Sequence, residues 1–420
     1  MKAALLIIGD EILNGETRDT NSGYAAQIFT NNNIPLVNIL TVSDSAQAIH
    51  NGLNFLLEQA DLVITSGGLG PTRDDLTAKV LAEYYGCEMI FNESLYKSLS
   101  ERYEKLGRKL NDLNKSQAMI PAKAIPYHNP VGTAPALWFQ ENDKVVICLP
   151  GVPSEMRFLL ENVFLPAILE KYSHHPIVHK TIHTVGIAES NLAEKLAEVE
   201  NKIEAANTGE AFFKLAYLPD MAMVKLRIIA TGPDESMLKH QVENFTEDIK
   251  AIAKEYIFGY DKDVFATHIG HLLRDRGATL STAESCTGGY LAHQITSVTG
   301  SADYFMGSVV SYHNDVKIKE VGVSRETLNA YGAVSEETAM EMLEGTLKKF
   351  KTDYALVTTG IAGPTGGEQK AIGTVYIGVG SKYKTIVKKY NFDRDRLQNI
   401  HLFTITALDM LRRFILGYKI

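Results

Sequence analysis

Two hydrophobic periods alternate along the first part of the chain. Residues 3–9, 60–66 and 144–149 are apolar runs that each stop at a turn rich in Gly or Pro, and helical spacing fills the stretches between them. Short strands of buried type separated by helices predict an α/β domain over residues 1–170. The pattern then changes. Leu192, Leu196 and Val199 mark an amphipathic helix, Val224, Leu226 and Ile228 alternate with Lys225 and Arg227 as in a strand, and Leu238, Val242, Phe245, Ile249, Ile252 and Tyr256 return to the helical period. Residues 171–260 therefore predict a small α+β module. From residue 261 strands and helices alternate again, with a helix over 264–276 that has Gly277 as its C-cap, and strands at 278–283, 306–312, 354–359, 373–379 and 385–390. The predicted fold class is α/β: two three-layer α/β domains, 1–170 and 261–420, joined by the small module.

Composition leaves this picture intact and excludes several classes. At 420 residues, 45% of them hydrophobic, the chain can fill about three cores. A formal net charge of −8 gives no global basic field for nucleic acid or an anionic membrane. The three cysteines, Cys87, Cys148 and Cys286, are odd in number and widely spaced, which argues against a disulfide framework and a zinc cage and for the reducing cytoplasm. The apolar start meets Asp10 and Glu11 at once and reads as a strand rather than a signal segment. No run of 18 apolar residues suggests a membrane-spanning helix.

Candidate chemistry gathers where strands end. Residues 281–289, Ser-Thr-Ala-Glu-Ser-Cys-Thr-Gly-Gly, lie at a predicted strand-to-helix junction. Gly288 and Gly289 allow a tight turn whose N–H groups, with Thr287 beside them and the helix N-terminus behind, would favour an oxyanion or a phosphate. Ser285 in that turn is a candidate nucleophile if a base lies within reach, and otherwise a helix cap. A second glycine loop, with Gly360 and Gly363, follows the strand at 354–359, and the strand at 306–312 would bring Tyr312 and Lys317 to the same rim. The plain alternatives are a packed aromatic for Tyr312 and a solvated helix charge for Lys317. Cys286 reads as a small buried hydrophobe.

These residues carry a resemblance. Ala283-Glu284-Ser285-Cys286-Thr287-Gly288-Gly289, Ser311-Tyr312-His313-Asn314, Gly332-Ala333-Val334-Ser335, and Gly360-Ile361-Ala362-Gly363-Pro364 with Gly373-Thr374-Val375 resemble, in order, the CinA C-terminal family. The resemblance implies a deamidase that converts nicotinamide mononucleotide to nicotinate mononucleotide and ammonia without a cofactor. It implies Ser285 as nucleophile, Tyr312 and Lys317 as its activating partners, and Arg396 as a further substrate contact.

In the first domain three strand-end loops, residues 9–15, 65–77 and 150–156, should face one cleft. Gly67, Gly68 and Gly70 suit close approach by a phosphate, with Thr77 as a further contact. The carboxylates Asp10, Glu11, Asp74 and Asp75 are hard oxygen ligands suited to magnesium bound together with phosphates, or else caps and solvated charges. A P-loop Gly-Lys pair and the third glycine of the dinucleotide fingerprint are missing. The stretch from Gly67 to Thr77 resembles the molybdopterin-binding fold shared by molybdenum-cofactor proteins and the N-terminal domain of full-length CinA proteins. Residues 129–135 and 150–156 favour the second group, although Ala136 stands where that group usually has glycine, which would narrow the loop. The implied activity is a pyrophosphatase that splits ADP-ribose into AMP and ribose 5-phosphate with a divalent metal. A molybdopterin-related enzyme and a competence or recombination accessory are the alternatives. The middle module resembles a KH fold but lacks the GxxG clamp, so small nucleotides rather than RNA, and a second copy of the chain through this module, are the partners to expect.

Overall fold

The computed structural model describes residues 1–420 apart from 73–74, 108, 172–175 and 367–369, and apart from the side chains of 112–113. It divides into two compact units, Met1–Ile177 with Thr231–Pro233, and Val178–Ala230 with Asp234–Ile420. Among the described residues no helix is long and apolar enough to cross a membrane.

The first unit contains β1 (Ala3–Ile8), β2 (Leu36–Val42), β3 (Leu62–Ser66), β4 (Met89–Phe91), β5 (Met119–Pro121), β6 (Ile125–Tyr127), β7 (Ala136–Glu141) and β8 (Lys144–Leu149). Six of them form one sheet in the order β2-β1-β3-β8-β7-β6, and β4 pairs with β5 apart from it. β2, β1, β3 and β8 run parallel, while β7 and β6 are antiparallel additions at one edge. Every residue of β1 and β3 is buried because helices cover both faces. Leu6 and Val63 pack on Leu53 and Leu56 of the helix Ala46–Gln59, whereas Leu5 and Ile64 pack on Phe29, Leu160 and Phe164. Ala136 does not narrow a loop: it opens β7, and its methyl group lies in the core.

The second unit begins with a sheet of order β10-β11-β9-β12, built from β9 (Ile177–Val185), β10 (Phe212–Asp220), β11 (Met223–Thr231) and β12 (Ile257–Tyr260). β11 buries Val224, Leu226, Ile228 and Ala230 in strict alternation, against Leu192, Leu196 and Val199 of one helix and Leu238, Val242, Phe245 and Ile249 of another. Ile252 is exposed, because the second helix ends at Ala253 and that alanine takes the inward position.

A five-stranded sheet follows, of β13 (Leu280–Glu284), β14 (Phe305–Val310), β15 (Tyr354–Gly360), β16 (Thr374–Gly380) and β17 (Thr385–Asn391), in the order β14-β13-β15-β16-β17. The first three are parallel and the last two antiparallel. The end of β15, the start of β16 and the end of β17 therefore share a rim with the end of β13, and that rim carries the loops of interest. The helix predicted to reach residue 276 stops at Arg274, and Gly277, at φ +58°, reverses the chain. Val185 and Phe258 of the four-stranded module share a core with Phe265, Ile269 and Leu411. Polar contacts reinforce that junction: Asp409 accepts from Arg412 Nε at 2.8 Å and Arg413 Nε at 3.0 Å, while Arg412 Nη2 donates to the Glu255 carbonyl at 2.7 Å and Arg413 Nη1 to the Glu255 carboxylate at 3.1 Å.

Candidate active sites

At the end of β13 the chain turns sharply, and the Ser285 N–H stays tied to the Thr358 carbonyl at 2.9 Å. Lys317, on the helix Asn314–Val321, is only 1% exposed. Its Nζ lies 3.0 Å from Ser285 Oγ and donates to the carbonyls of Ser311 at 2.7 Å and Tyr312 at 3.3 Å. Burial lowers its pKa to about 8, since the charged ammonium loses hydration there. A solvated helix charge is thus excluded for Lys317. Tyr312 is not packed either: it is 61% exposed, and its hydroxyl meets Arg396 Nη2 at 3.0 Å, while Arg396 Nη1 donates to the Gly363 carbonyl at 2.5 Å. The structure thus brings Ser285 and Lys317 together as one pair and Tyr312, Arg396 and Gly363 together as a second group.

The anion site at the following helix is filled by the protein itself. Glu284 is fully buried, and its carboxylate accepts from the N–H groups of Gly289 at 3.0 Å, Leu291 at 3.0 Å and Ala292 at 2.8 Å, and from Thr287 Oγ1 at 2.7 Å. The helix N-terminus is therefore already neutralised and not open to a phosphate, a correction to the sequence reading. Thr287 lies inside the turn rather than facing a ligand, and Gly288 and Gly289 supply the positive φ that the turn needs, +59° and +98°. Gly360 serves packing, since a Cβ there would come within 2.6 Å of the Thr374 carbonyl. Cys286 is buried and its thiol is pushed up to about 12 by that burial, so it is no thiolate.

In the first unit the ends of β1, β3 and β8 open on a cleft of about 810 Å³ lined by Asp10, Glu11, Gly67, Gly68, Gly70 and Asp75. Gly67 stands at φ +117°, where a Cβ would lie 2.1 Å from the Ile8 carbonyl. Thr77 is behind the loop and not in the cleft: it is fully buried and its hydroxyl donates to the Gly67 carbonyl at 2.9 Å. Asp75 clasps the same loop, accepting from Gly70 N at 2.6 Å and from the N–H and hydroxyl of Thr72 at 2.8 and 2.6 Å. Asp74 lies outside the described residues. Among the described residues no three His, Cys, Asp or Glu side chains converge as a cage for an ion.

Three models of known families match in tandem: "Probable molybdopterin binding domain" over 4–170, "Damage-inducible protein CinA KH domain" over 179–259, and "CinA C-terminal domain" over 262–415. A CinA-like protein of Flavobacterium psychrophilum is 40% identical over 419 residues, covering 99% of each chain. The chain belongs to the CinA family. A CinA-like protein of Chloroherpeton thalassium is 38% identical, again over 99% of each chain. The crystal structure of a CinA protein from Thermoplasma acidophilum, whose function is described as unknown, is 36% identical with a TM-score of 0.37, covering 39% of this chain and 96% of that one.

Sequence reasoning misses three acidic residues in this CinA family member. Glu284 sits inside a recognisable motif without an evident role; a carboxylate ending a buried strand just before two glycines is the available signal. Asp44 follows the end of β2 and joins the cleft, where its side chain accepts from Asp10 N at 2.9 Å. Burial raises its pKa, and the charges of Asp10, Glu11 and Asp75 act in the same direction, against the lowering effect of that hydrogen bond. Glu155 lines the cleft too and accepts from Asn129 Nδ2 at 2.6 Å; burial raises its pKa, while Asn129 and Arg102 oppose the rise.

Proposed function

We propose that the C-terminal cleft hydrolyses the carboxamide of nicotinamide mononucleotide, and that the contact between Lys317 and Ser285 carries the reading. With a pKa of about 8, about one Lys317 in ten is neutral at pH 7, against fewer than about one in a thousand for an ordinary lysine. Neutral Lys317 takes the proton of the Ser285 hydroxyl as Oγ attacks the amide carbon. A backbone N–H of the turn that follows Ser285 would receive the developing oxyanion. Lys317, now an ammonium, returns its proton to the amide nitrogen as the C–N bond breaks, and ammonia departs. Water, deprotonated by Lys317, then cleaves the acyl ester to give nicotinate mononucleotide and free Ser285. Arg396 supplies a fixed cation for the phosphate, and Tyr312 holds it in place. Tyr312 is thereby a positioning residue rather than the base. Ammonia release from nicotinamide mononucleotide by the full chain, with Ser285→Ala and Lys317→Met as controls, tests this directly.

For the N-terminal cleft we propose metal-dependent hydrolysis of ADP-ribose to AMP and ribose 5-phosphate. The residues fit a divalent cation bound together with substrate: Asp10, Glu11 and Asp44 line the cleft without converging as a cage, and magnesium needs only one or two carboxylates beside substrate phosphates. Such an ion would polarise a phosphoryl oxygen and neutralise charge on the leaving phosphate. The glycine loop that Asp75 clasps presents backbone to the phosphates. Parallel assays with ADP-ribose and with molybdopterin separate this reading from a molybdopterin-related activity.

A further inference from the structure

The second unit carries a basic hollow at the end of its five-stranded sheet opposite the catalytic rim. β15 and β17 start there, β16 ends there, and so does the long helix Arg396–Leu416. The hollow, of about 730 Å³, is lined by Lys351, Lys382, Lys384, Lys388 and Lys419 and by one carboxylate side chain, that of Asp353. Asp353 is already committed, accepting from Thr279 N and Thr279 Oγ1 at 2.8 Å each. Lys388 is engaged as well, since its Nζ donates to the main-chain oxygen of Ile420 at 2.6 Å. The other four ammonium groups form no ion pair with a carboxylate among the described residues. In a chain of net charge −8, cations gathered in one concavity focus a positive potential there and draw in a polyanion. Tyr354, Tyr383, Phe414 and Tyr418 line the same hollow. Tyr383, in the turn from β16 to β17, is 84% exposed, so packing does not account for it. Lys382 Nζ lies 4.7 Å from its ring centroid, and Lys384 Nζ lies 5.8 Å from that of Phe414. Rings and cations are thus interleaved, which suits a ligand with a flat base to stack and phosphates to pair.

We infer that this hollow binds a nucleotide carrying two or more phosphates, as a ligand separate from the substrates of both clefts: Tyr383 stacks on the base, and Lys382 and Lys384 on either side of it take the phosphates. Its volume lies within the roughly 300–1,000 Å³ of small-molecule sites. The acidic balance of the whole chain favours such a compact ligand over a long nucleic acid, which needs a basic track beyond one hollow. Phe414 in the hollow and Arg396 at the catalytic rim stand on one helix, and the 18 residues from 396 to 414 span ~27 Å at ~1.5 Å per residue. A ligand here is therefore a bystander to the deamidation and acts on it only through the fold.

The test places a reporter in the hollow of the full chain. Tyr383→Trp adds an emitting ring there, and Trp138, the chain's own tryptophan, is buried in the first unit, so its signal subtracts out against the unaltered chain. ATP bound in either cleft then does not register. ATP without added metal should quench the added emission saturably, and adenosine, which lacks the phosphates, should need at least about tenfold more. In the same background Lys382→Gln with Lys384→Gln should weaken ATP by at least about tenfold. Lys202→Gln with Lys239→Gln removes the same charge from exposed positions on the helices of the four-stranded module and should leave ATP binding unchanged. Failure of ATP to quench overturns the inference, as does equal weakening by the two pairs of substitutions, the mark of general charge attraction. Displacement of ATP by a ten-residue oligothymidylate at lower concentration than ATP itself overturns it too, and makes the hollow a nucleic-acid site.

Discussion

Lys317 Nζ and Ser285 Oγ are 3.0 Å apart in a pocket that leaves the lysine 1% exposed. The same burial that lowers the lysine pKa shields the serine from water, so one packing feature would both make the base and protect the nucleophile of the proposed deamidation.

Deamidase turnover should follow the neutral form of Lys317. The folded pKa of about 8 lies below the ordinary lysine value, so kcat should be low at pH 6, rise tenfold per unit below the midpoint and level off above pH 8 to 9. The stability sign is set by the same shift: between about pH 8 and 10.5 the unfolded chain binds the extra proton, so this group's contribution to stability grows as pH rises through that window. A pH–kcat profile flat from 6 to 9 would exclude Lys317 as the base.

Ser285→Ala should lower kcat by more than the roughly 10²–10³ that loss of one oxyanion donor costs, with nucleotide affinity retained. Its melting temperature should hardly move, because the helix beyond the turn is capped by Glu284 and not by Ser285. Single-turnover assays with differential scanning calorimetry read both quantities.

Glu284→Gln should act in the opposite sense on stability. Three backbone N–H groups point at that carboxylate, and an amide with one acceptor oxygen leaves at least one of them facing an NH₂ group. A loss of about 1–3 kcal/mol is expected for a buried donor left unpaired, seen as a lower urea midpoint at unchanged slope.

Arg396→Ala removes both the link to Gly363 and the partner of the Tyr312 hydroxyl. KM for nicotinamide mononucleotide should rise by at least about tenfold, with a smaller change in kcat, since charge-assisted hydrogen bonds to a phosphate are worth about 1.5–3 kcal/mol. Steady-state kinetics showing the reverse split would move Arg396 from binding to chemistry.

EDTA should silence ADP-ribose hydrolysis and leave ammonia release intact, and Asp75→Asn should do the same by slackening the loop it clasps. Ammonia release that falls in EDTA and returns with zinc would contradict the metal-free mechanism.

The alternation of strand and helix was legible because parallel strands buried on both faces must be continuously apolar, as β1 and β3 are. The glycines were legible for a similar local reason: Gly67 and Gly289 occupy backbone angles that a side chain resists. What could not be read was direction. Nothing in the spacing of Tyr312 and Lys317 tells that the lysine points inward at Ser285 while the tyrosine points outward at Arg396, because that depends on how a helix of eight residues leaves β14. Likewise a carboxylate within a motif can face a ligand or face its own backbone, and Glu284 and Asp75 both do the latter.

The junction built by Asp409, Arg412, Arg413 and Glu255 crosses the boundary at residue 260, where the KH domain and the CinA C-terminal domain meet. A fragment cut to begin at Asp261 would keep every residue of the C-terminal cleft yet leave the fully buried Arg412 without the Glu255 carbonyl it donates to, and Phe265 and Leu411 without Val185 and Phe258. The compact unit that holds both sides of the junction begins at Val178. A transplant of the C-terminal cleft that keeps this junction intact would therefore carry the KH-like module with it.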